Sequence, residues 1–427
     1  MTGQADRGEP SGTKGKLRFF DIIYYVLCAL IAFCSLSIVS SKVASGESIS
    51  LIQKGAYVIN SDYPMFYYAG KIAAKLGAQS LYDTVTQLSV LNASVKPVQF
   101  HSVPLLPYPP QLYLLMVVPA LLPIHLSFFA WVLGGILISL SSVFALCKSN
   151  SELSTVERIA FTFALLAIFP MYFYMVTGQA SPLWLLFLTI FFFAACKQRM
   201  LISALSIALM AMKPPFALIL SVISIALGQW KQVIYGSGIF ALSMLIPSLI
   251  WGFKIWGDYL LYFQEWSRNA DGSMHPERQP STRWLINMAP PEWQFALNGL
   301  SLIICLTCIW FVCWKSRGQR RLIPPAFTAS IASVQFWFPY MHMYDSIIVW
   351  AAIAVSLKSF APSKLGLLSG CSDKIFHAVV LAYPFIGVGG FLLMPDFANK
   401  FNIPFVFANA LLFASSMGCF FNRLKNH

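Results

Sequence analysis

Apolar residues along this chain arrive in blocks long enough, or nearly long enough, to cross a bilayer, with short polar turns between them. The blocks run near 19–40, 124–147, 159–177, 180–196, 199–212, 214–228, 232–251, 293–314, 322–340, 344–358, 374–394 and 402–421. Such blocks predict membrane-spanning helices. Twelve is an even number, so both ends fall on one side. About sixty mixed residues follow the first block, to roughly His101; they carry a helical pattern from Met65 to Leu76 and then Leu81-Tyr82-Asp83. A loop of that length with a helix of its own is usually functional. Pro104 to Tyr113 is rich in proline, and the apolar run behind it ends at Pro119. It is too short for an ordinary span and is expected to be a re-entrant or half-depth segment, because irregular backbone at membrane depth needs protein or a wet cavity around it. The pattern predicts an all-α polytopic membrane protein, a helical bundle of about 12 transmembrane helices with a large first external loop carrying short amphipathic helices. Its expected organisation is a disordered basic cytoplasmic tail at 1–18, one transmembrane domain over 19–421 with external loops at 41–103 and 252–291, and a cytoplasmic tail at 422–427.

Charge orients this pattern. Only 11% of residues are charged, against about a quarter in a soluble domain. The net charge of +13 collects where cytoplasmic loops belong: Arg7, Lys14, Lys16 and Arg18, then Lys148 with Arg158, Lys197 with Arg199, Lys315 to Arg321, and Arg423 with Lys425. The basic excess therefore speaks for a membrane and not for nucleic acid. Both termini are expected in the cytoplasm, with the protein in the cytoplasmic (inner) membrane. The first apolar block lacks a small-residue cleavage site and reads as a retained anchor. Most of the nine cysteines sit inside apolar blocks without ligand spacing, so neither a metal nor a disulfide is expected, and no cofactor.

The informative polar residues gather on the side opposite the tails. Asp62 stands among aromatics at the start of the 65–76 helix. It reads as a general base or as a helix N-cap, since Pro64 follows closely; the two roles are compatible. Lys213 precedes Pro214 and Pro215 at a break between two short helices. It reads either as a partner for the phosphate of a lipid-linked substrate or as a lysine snorkelling to headgroups. His342 and Asp345 are three residues apart, on one face if helical; they suit contacts to a sugar or phosphate, or a pair capping the next helix. Gln179 follows Gly178 in a tight turn. Tyr108, with Pro109 and Pro110, shapes a lipid groove or simply breaks a helix. Tyr82, His101, Gln279, Ser281 and Arg283 are further candidates on the outer loops, with plain surface as the alternative for Arg283.

No Gly-rich phosphate loop, nucleophile elbow or Asp-x-Asp metal motif is present. The ordered set Asp62-Tyr63 through Gly70, Leu81-Tyr82, Tyr108-Pro109-Pro110, Pro119, Leu122-Pro123, Gly178-Gln179, Lys213-Pro214, Gln279-x-Ser281, Pro339, His342 and Tyr344-Asp345 resembles the GT-C family of integral-membrane glycosyltransferases that includes the polyprenyl-phosphate-mannose-dependent phosphatidylinositol mannoside mannosyltransferase. The chain departs from that pattern at 338–342, where one His stands instead of a His pair behind Ser and Trp. The resemblance implies a GT-C bundle and a polyprenyl-phosphate sugar donor. It also implies inverting transfer of a hexosyl or pentosyl group (mannosyl in the family) to a lipid or glycan acceptor at the outer face. Asp62 would be the base, with Lys213 and His342 on the departing phosphate. Competing readings are a multi-span transporter or lipid flippase, and a non-catalytic scaffold. The lack of a second, matching helix break and the two long external loops weigh against a carrier.

Overall fold

A computed structural model of the chain describes residues 19–44, 53–54, 57–58, 62–75, 80–94, 108–273, 281–339, 341–393 and 402–425. The basic tail, His101 and Gln279 lie outside the described residues. Each of the twelve apolar blocks is helical. In chain order the helices are α1 (Phe19–Ala44), α2 (Tyr63–Lys75), α3 (Thr84–Ser94), α4 (Pro110–Ala120), α5 (Ile124–Ser149), α6 (Thr155–Ala164), α7 (Phe169–Thr177), α8 (Ser181–Cys196) and α9 (Met200–Met210). They continue with α10 (Pro214–Ala226), α11 (Lys231–Trp251), α12 (Lys254–Ser273), α13 (Arg283–Ile286), α14 (Pro291–Lys315), α15 (Ile323–Trp337), α16 (Ile347–Ser356), α17 (Cys371–Leu393) and α18 (Asn402–Lys425). A two-residue antiparallel pair, Gln53–Lys54 with Tyr57–Val58, precedes α2.

Proline sets many of the starts. It occupies the first or second helical position of α4, α7, α8, α10, α14 and α15, where its missing N–H would have had no helical partner and its φ already suits the helix. α6 starts instead on a capping box, Ser154 with Glu157.

The bundle mixes long and short helices. Among the described residues, α1, α5, α11, α14 and α18 are long and apolar enough to cross a membrane, and α6 with α7 makes one further span bent by 53°. α4, α8, α9, α10 and α16 are apolar but shorter. α4, the segment expected to stop at half depth, has 11 residues and rises about 16 Å, roughly half of the hydrocarbon core.

α16 is buried from Ile347 through Val355, which its all-round apolar surface demands. α11 is apolar over most of its length yet mostly outward-facing, with Leu242 66% and Leu249 81% exposed. In water such a face would be unstable; lipid is the solvent it suits. One continuous core runs from Tyr24 to Phe420. A smaller cluster of Ile72, Leu81, Tyr82, Tyr113, Ile255 and Tyr262 ties α2 and α4 to the α12 segment. The 41–103 and 252–291 stretches thus carry helices α2, α3, α12 and α13 that pack on the bundle.

Candidate active site

α2 begins at Asp62: its backbone carbonyl accepts the Met65 and Phe66 N–H groups at 3.1 and 3.3 Å. Asp62 therefore holds the N-cap position, while its carboxylate accepts a hydrogen bond from the Gln179 side-chain amide. The next residues clamp α2 in place. The Tyr63 hydroxyl meets the Ser127 hydroxyl, Ser127 donates to the Pro119 carbonyl at 2.6 Å, and Tyr67 donates to the Leu122 carbonyl at 2.8 Å. Gly70 packs so closely on α4 that a Cβ there would overlap the Met116 carbonyl.

Gln179 reaches Asp62 because of Gly178. That glycine closes α7 in the left-handed region, at φ 66°, and its N–H returns to the Tyr174 carbonyl at 2.8 Å. A Cβ on Gly178 would lie 2.6 Å from the Tyr63 Cβ, so the turn needs glycine for both its dihedral and its closeness to α2. The Trp131 indole N–H, from α5, donates to the Gly178 carbonyl at 2.9 Å. Tyr108 donates to the Gln179 Oε1 at 3.5 Å, and Tyr82 in turn donates to the Tyr108 carbonyl at 2.9 Å.

The cationic half of the site comes from two other junctions. Lys213 ends the α9 turn through its N–H to the Met210 carbonyl at 2.8 Å, and the prolines behind it start α10. Its ammonium pairs with the Asp345 carboxylate and lies 4.9 Å from the Phe216 ring centre. Asp345 is fully buried. Its other oxygen accepts the His342 backbone N–H at 3.4 Å, and its own N–H donates to the His342 carbonyl at 3.0 Å. The expected His342–Asp345 cap therefore forms, and Asp345 is turned inward onto Lys213. Gln335 of α15 donates to the Ser346 hydroxyl at 2.7 Å and secures that turn. Arg283 is buried at 8% exposure, so it is not surface. The turn that carries it is tied to the end of α15 by Thr282 N–H to the Phe336 carbonyl at 2.8 Å.

These junctions share one electrostatic neighbourhood. Lys213 feels both Asp345 and Asp62, Tyr108 lies within reach of both carboxylates, and His342 feels Asp345, Lys213 and Arg283. Burial lowers the His342 imidazole to about 4, and Asp345 opposes that against the two nearby cations. The ring is then neutral at physiological pH. Burial also pulls the Lys213 ammonium below its ordinary value, against the pull of Asp345 and then Asp62. Of the residues singled out from the sequence, Asp62, Tyr82, Tyr108, Gln179, Lys213, Arg283, His342 and Asp345 are brought into this one network. Tyr63, Ser127, Trp131 and Gln335 were not singled out. Tyr63 sits beside Asp62, but neither Ser127 nor Gln335 bears any local mark.

Chemically, the two carboxylates differ. Asp345 is fully buried against the Lys213 ammonium, whereas Asp62 is partly exposed and accepts from the neutral Gln179 amide. The family model for Glycosyltransferase family 87 matches residues 106–339. The match includes Tyr108, Gln179, Lys213 and Arg283 and stops short of Asp62, His342 and Asp345. No curated protein matches the chain, and no solved structure does.

Proposed function

This chain belongs to glycosyltransferase family 87, and from that premise we propose that it moves a hexosyl or pentosyl group, mannosyl by the resemblance above, from a polyprenyl-phosphate donor to a lipid or glycan acceptor. Asp62 is the general base. It takes the proton of the acceptor hydroxyl as that oxygen bonds to the anomeric carbon. The bond from the sugar to the phosphate breaks, its electron pair leaves with the lipid phosphate, and the anomeric centre inverts. A single displacement of this kind needs one base and no enzyme nucleophile, which suits a site with one accessible carboxylate. Lys213, oriented by Asp345, and the buried Arg283 stabilise the charge that develops on the departing phosphate. His342, neutral, serves as a hydrogen-bonding group to the same phosphate or to the sugar. Gln179 orients Asp62, and Tyr108 and Tyr82 shape the wall between them.

The proposal includes the setting: the cytoplasmic membrane, one transmembrane domain over 19–421, both termini inside, and the site facing out. The observation that carries the reading is a partly exposed carboxylate, Asp62, held by the Gln179 amide from 117 positions away, in a chain of a glycosyltransferase family. The enzyme family replaces the transporter reading.

The test is transfer by the purified protein in lipid, supplied with polyprenyl-phosphate mannose and crude membrane lipid, comparing wild type with Asp62→Asn. The variant is expected to fold and to lose transfer by at least about 100-fold. Wild-type turnover by a folded Asp62→Asn protein would remove Asp62 from the mechanism.

A further inference from the structure

α12 presents three different faces, and each follows from the spacing of residues along the helix. Ile255 and Tyr262, seven apart and so on one side, are both buried. Their face is seated by the Tyr262 hydroxyl, which donates to the Gln87 Oε1 at 3.3 Å. The rings of Tyr262 and Tyr259 lie 5.4 and 5.6 Å from that of Tyr82, centre to centre. Tyr82 is the residue that donates to the Tyr108 carbonyl, so the inner face of α12 backs the tyrosine wall of the candidate active site.

The second face is charged. Lys254 and Asp258 pair at 2.6 Å across one turn, and the exposed Glu265 lies two turns beyond Asp258 on the same side. The third face is apolar and left open among the described residues. Trp256, Leu260 and Phe263 follow one another at intervals of four and three. Trp256 is half-buried, whereas Leu260 is 57% exposed and Phe263 is exposed as well. Leu261, 66% exposed, stands between the apolar and the charged faces.

Continuity with α11 decides what covers the open face. α12 begins at Lys254, just after α11 ends at Trp251, with a turn at Gly252 whose φ is 83°. The Trp256 indole N–H donates back to the Ser248 hydroxyl at 2.8 Å, which holds the first turn of α12 against the last turn of α11. Leu249, Ile250 and Phe253 are all exposed and join the lipid-suited side of α11 to Leu260. An apolar surface that runs on from a membrane span has bilayer lipid as its neighbour. A helix with one face on protein, one apolar face that includes Trp and one charged face suits the boundary between hydrocarbon and headgroups.

We propose that α12 lies in the membrane interface with its Trp256–Leu260–Phe263 face against bilayer lipid, and so holds the tyrosine wall at the depth of the lipid headgroups. The placement does not depend on the transfer mechanism, and its test reads no transfer. The full-length protein carries Cys34→Ser and Cys371→Ser, which removes the exposed thiols among the described residues, and sits in nanodiscs of phosphatidylcholine and phosphatidylglycerol. A bimane label is placed at Leu260→Cys, Phe263→Cys, Glu265→Cys or, as a mid-span reference, Leu242→Cys. Quenching is recorded with phosphatidylcholine bearing a nitroxide near the headgroup or near the chain end, and with aqueous iodide. The labels at Leu260 and Phe263 should each be quenched by the headgroup-proximal nitroxide at least about threefold more than the label at Glu265, and less by iodide. The label at Leu242 should respond most to the chain-end nitroxide. Iodide quenching at Leu260 and Phe263 equal to that at Glu265, without lipid quenching, would overturn the placement. Stronger quenching at both by the chain-end nitroxide would overturn it too, by putting α12 in the hydrocarbon core. So would an intermolecular disulfide in unlabelled Leu260→Cys without lipid quenching, which would put a second copy of the chain on this face.

Discussion

Lys213 and Asp345 show how the environment assigns roles to single residues. An ammonium taken out of water costs several kcal/mol, and a buried carboxylate costs a similar amount; each is tolerable because the other is there. Removing one partner strands the other. Asp345→Asn should therefore lower stability by about 3 kcal/mol, read as a fall in the thermal midpoint. The double variant Lys213→Met with Asp345→Leu should recover most of that stability while transfer stays abolished. A double variant that transfers at the wild-type rate would show that Lys213 is only structural. His342 makes a contrasting case. Its pKa is lowered to about 4, below the ordinary value near 6.5, so it is uncharged above about pH 5 and gains its proton only below that. His342→Gln keeps a neutral hydrogen-bonding group, and it should leave the shape of the pH–rate profile between pH 5 and 8 unchanged. An acid limb near pH 6 that disappears in the variant would mean that His342 titrates during turnover.

At the scale of elements, the site is built where helices stop. Asp62 starts α2, Gly178 ends α7, Lys213 separates α9 from α10, and the 342–346 turn separates α15 from α16. Helix ends offer unpaired backbone groups and side chains free of the helix's own periodicity, which is why the junctions carry the chemistry. The Gly178 turn is the most tightly specified of them. Gly178→Ala would place a Cβ 2.6 Å from that of Tyr63 and force a residue with a side chain to φ 66°. A residue held in such a conformation costs roughly 1–3 kcal/mol. The thermal midpoint and transfer should both fall as Gln179 shifts from Asp62. Gly134→Ala, where a Cβ meets nothing within 4 Å, should change neither. Wild-type behaviour of Gly178→Ala would show that Gln179 needs no such fixed turn. Several of these junctions were readable: Pro64 and Pro214–Pro215 mark helix starts by a local rule, and Gly178 marks a tight turn. The clamp of Tyr63 on Ser127 was not, because nothing local distinguishes Ser127 from any other serine in an apolar helix.

For the whole molecule, orientation is the property to test. In the proposed topology, which rests on the positive-charge asymmetry, the start of α17 lies on the cytoplasmic side, and Cys371 there is exposed. A membrane-impermeant maleimide should label it in inside-out vesicles and not in intact cells, with Cys371→Ser as the blank; the reverse pattern would invert the proposed topology and place the site inside. The apolar helical blocks, the starts that proline marks and the choice of lipid as solvent followed from the sequence by itself, since hydrophobic periodicity, proline and charge act within a few residues of where they stand; the break of the 159–177 block into α6 and α7, bent by 53°, did not. Tertiary structure alone decided which junctions meet. Gln179 finds Asp62 across 117 positions, and Asp345 finds Lys213 across 132. It also decided that Asp345 faces inward while Asp62 stays accessible, and that Arg283 is buried. Those outcomes depend on how helices pack around one core, and packing couples residues through space at separations that no local pattern encodes.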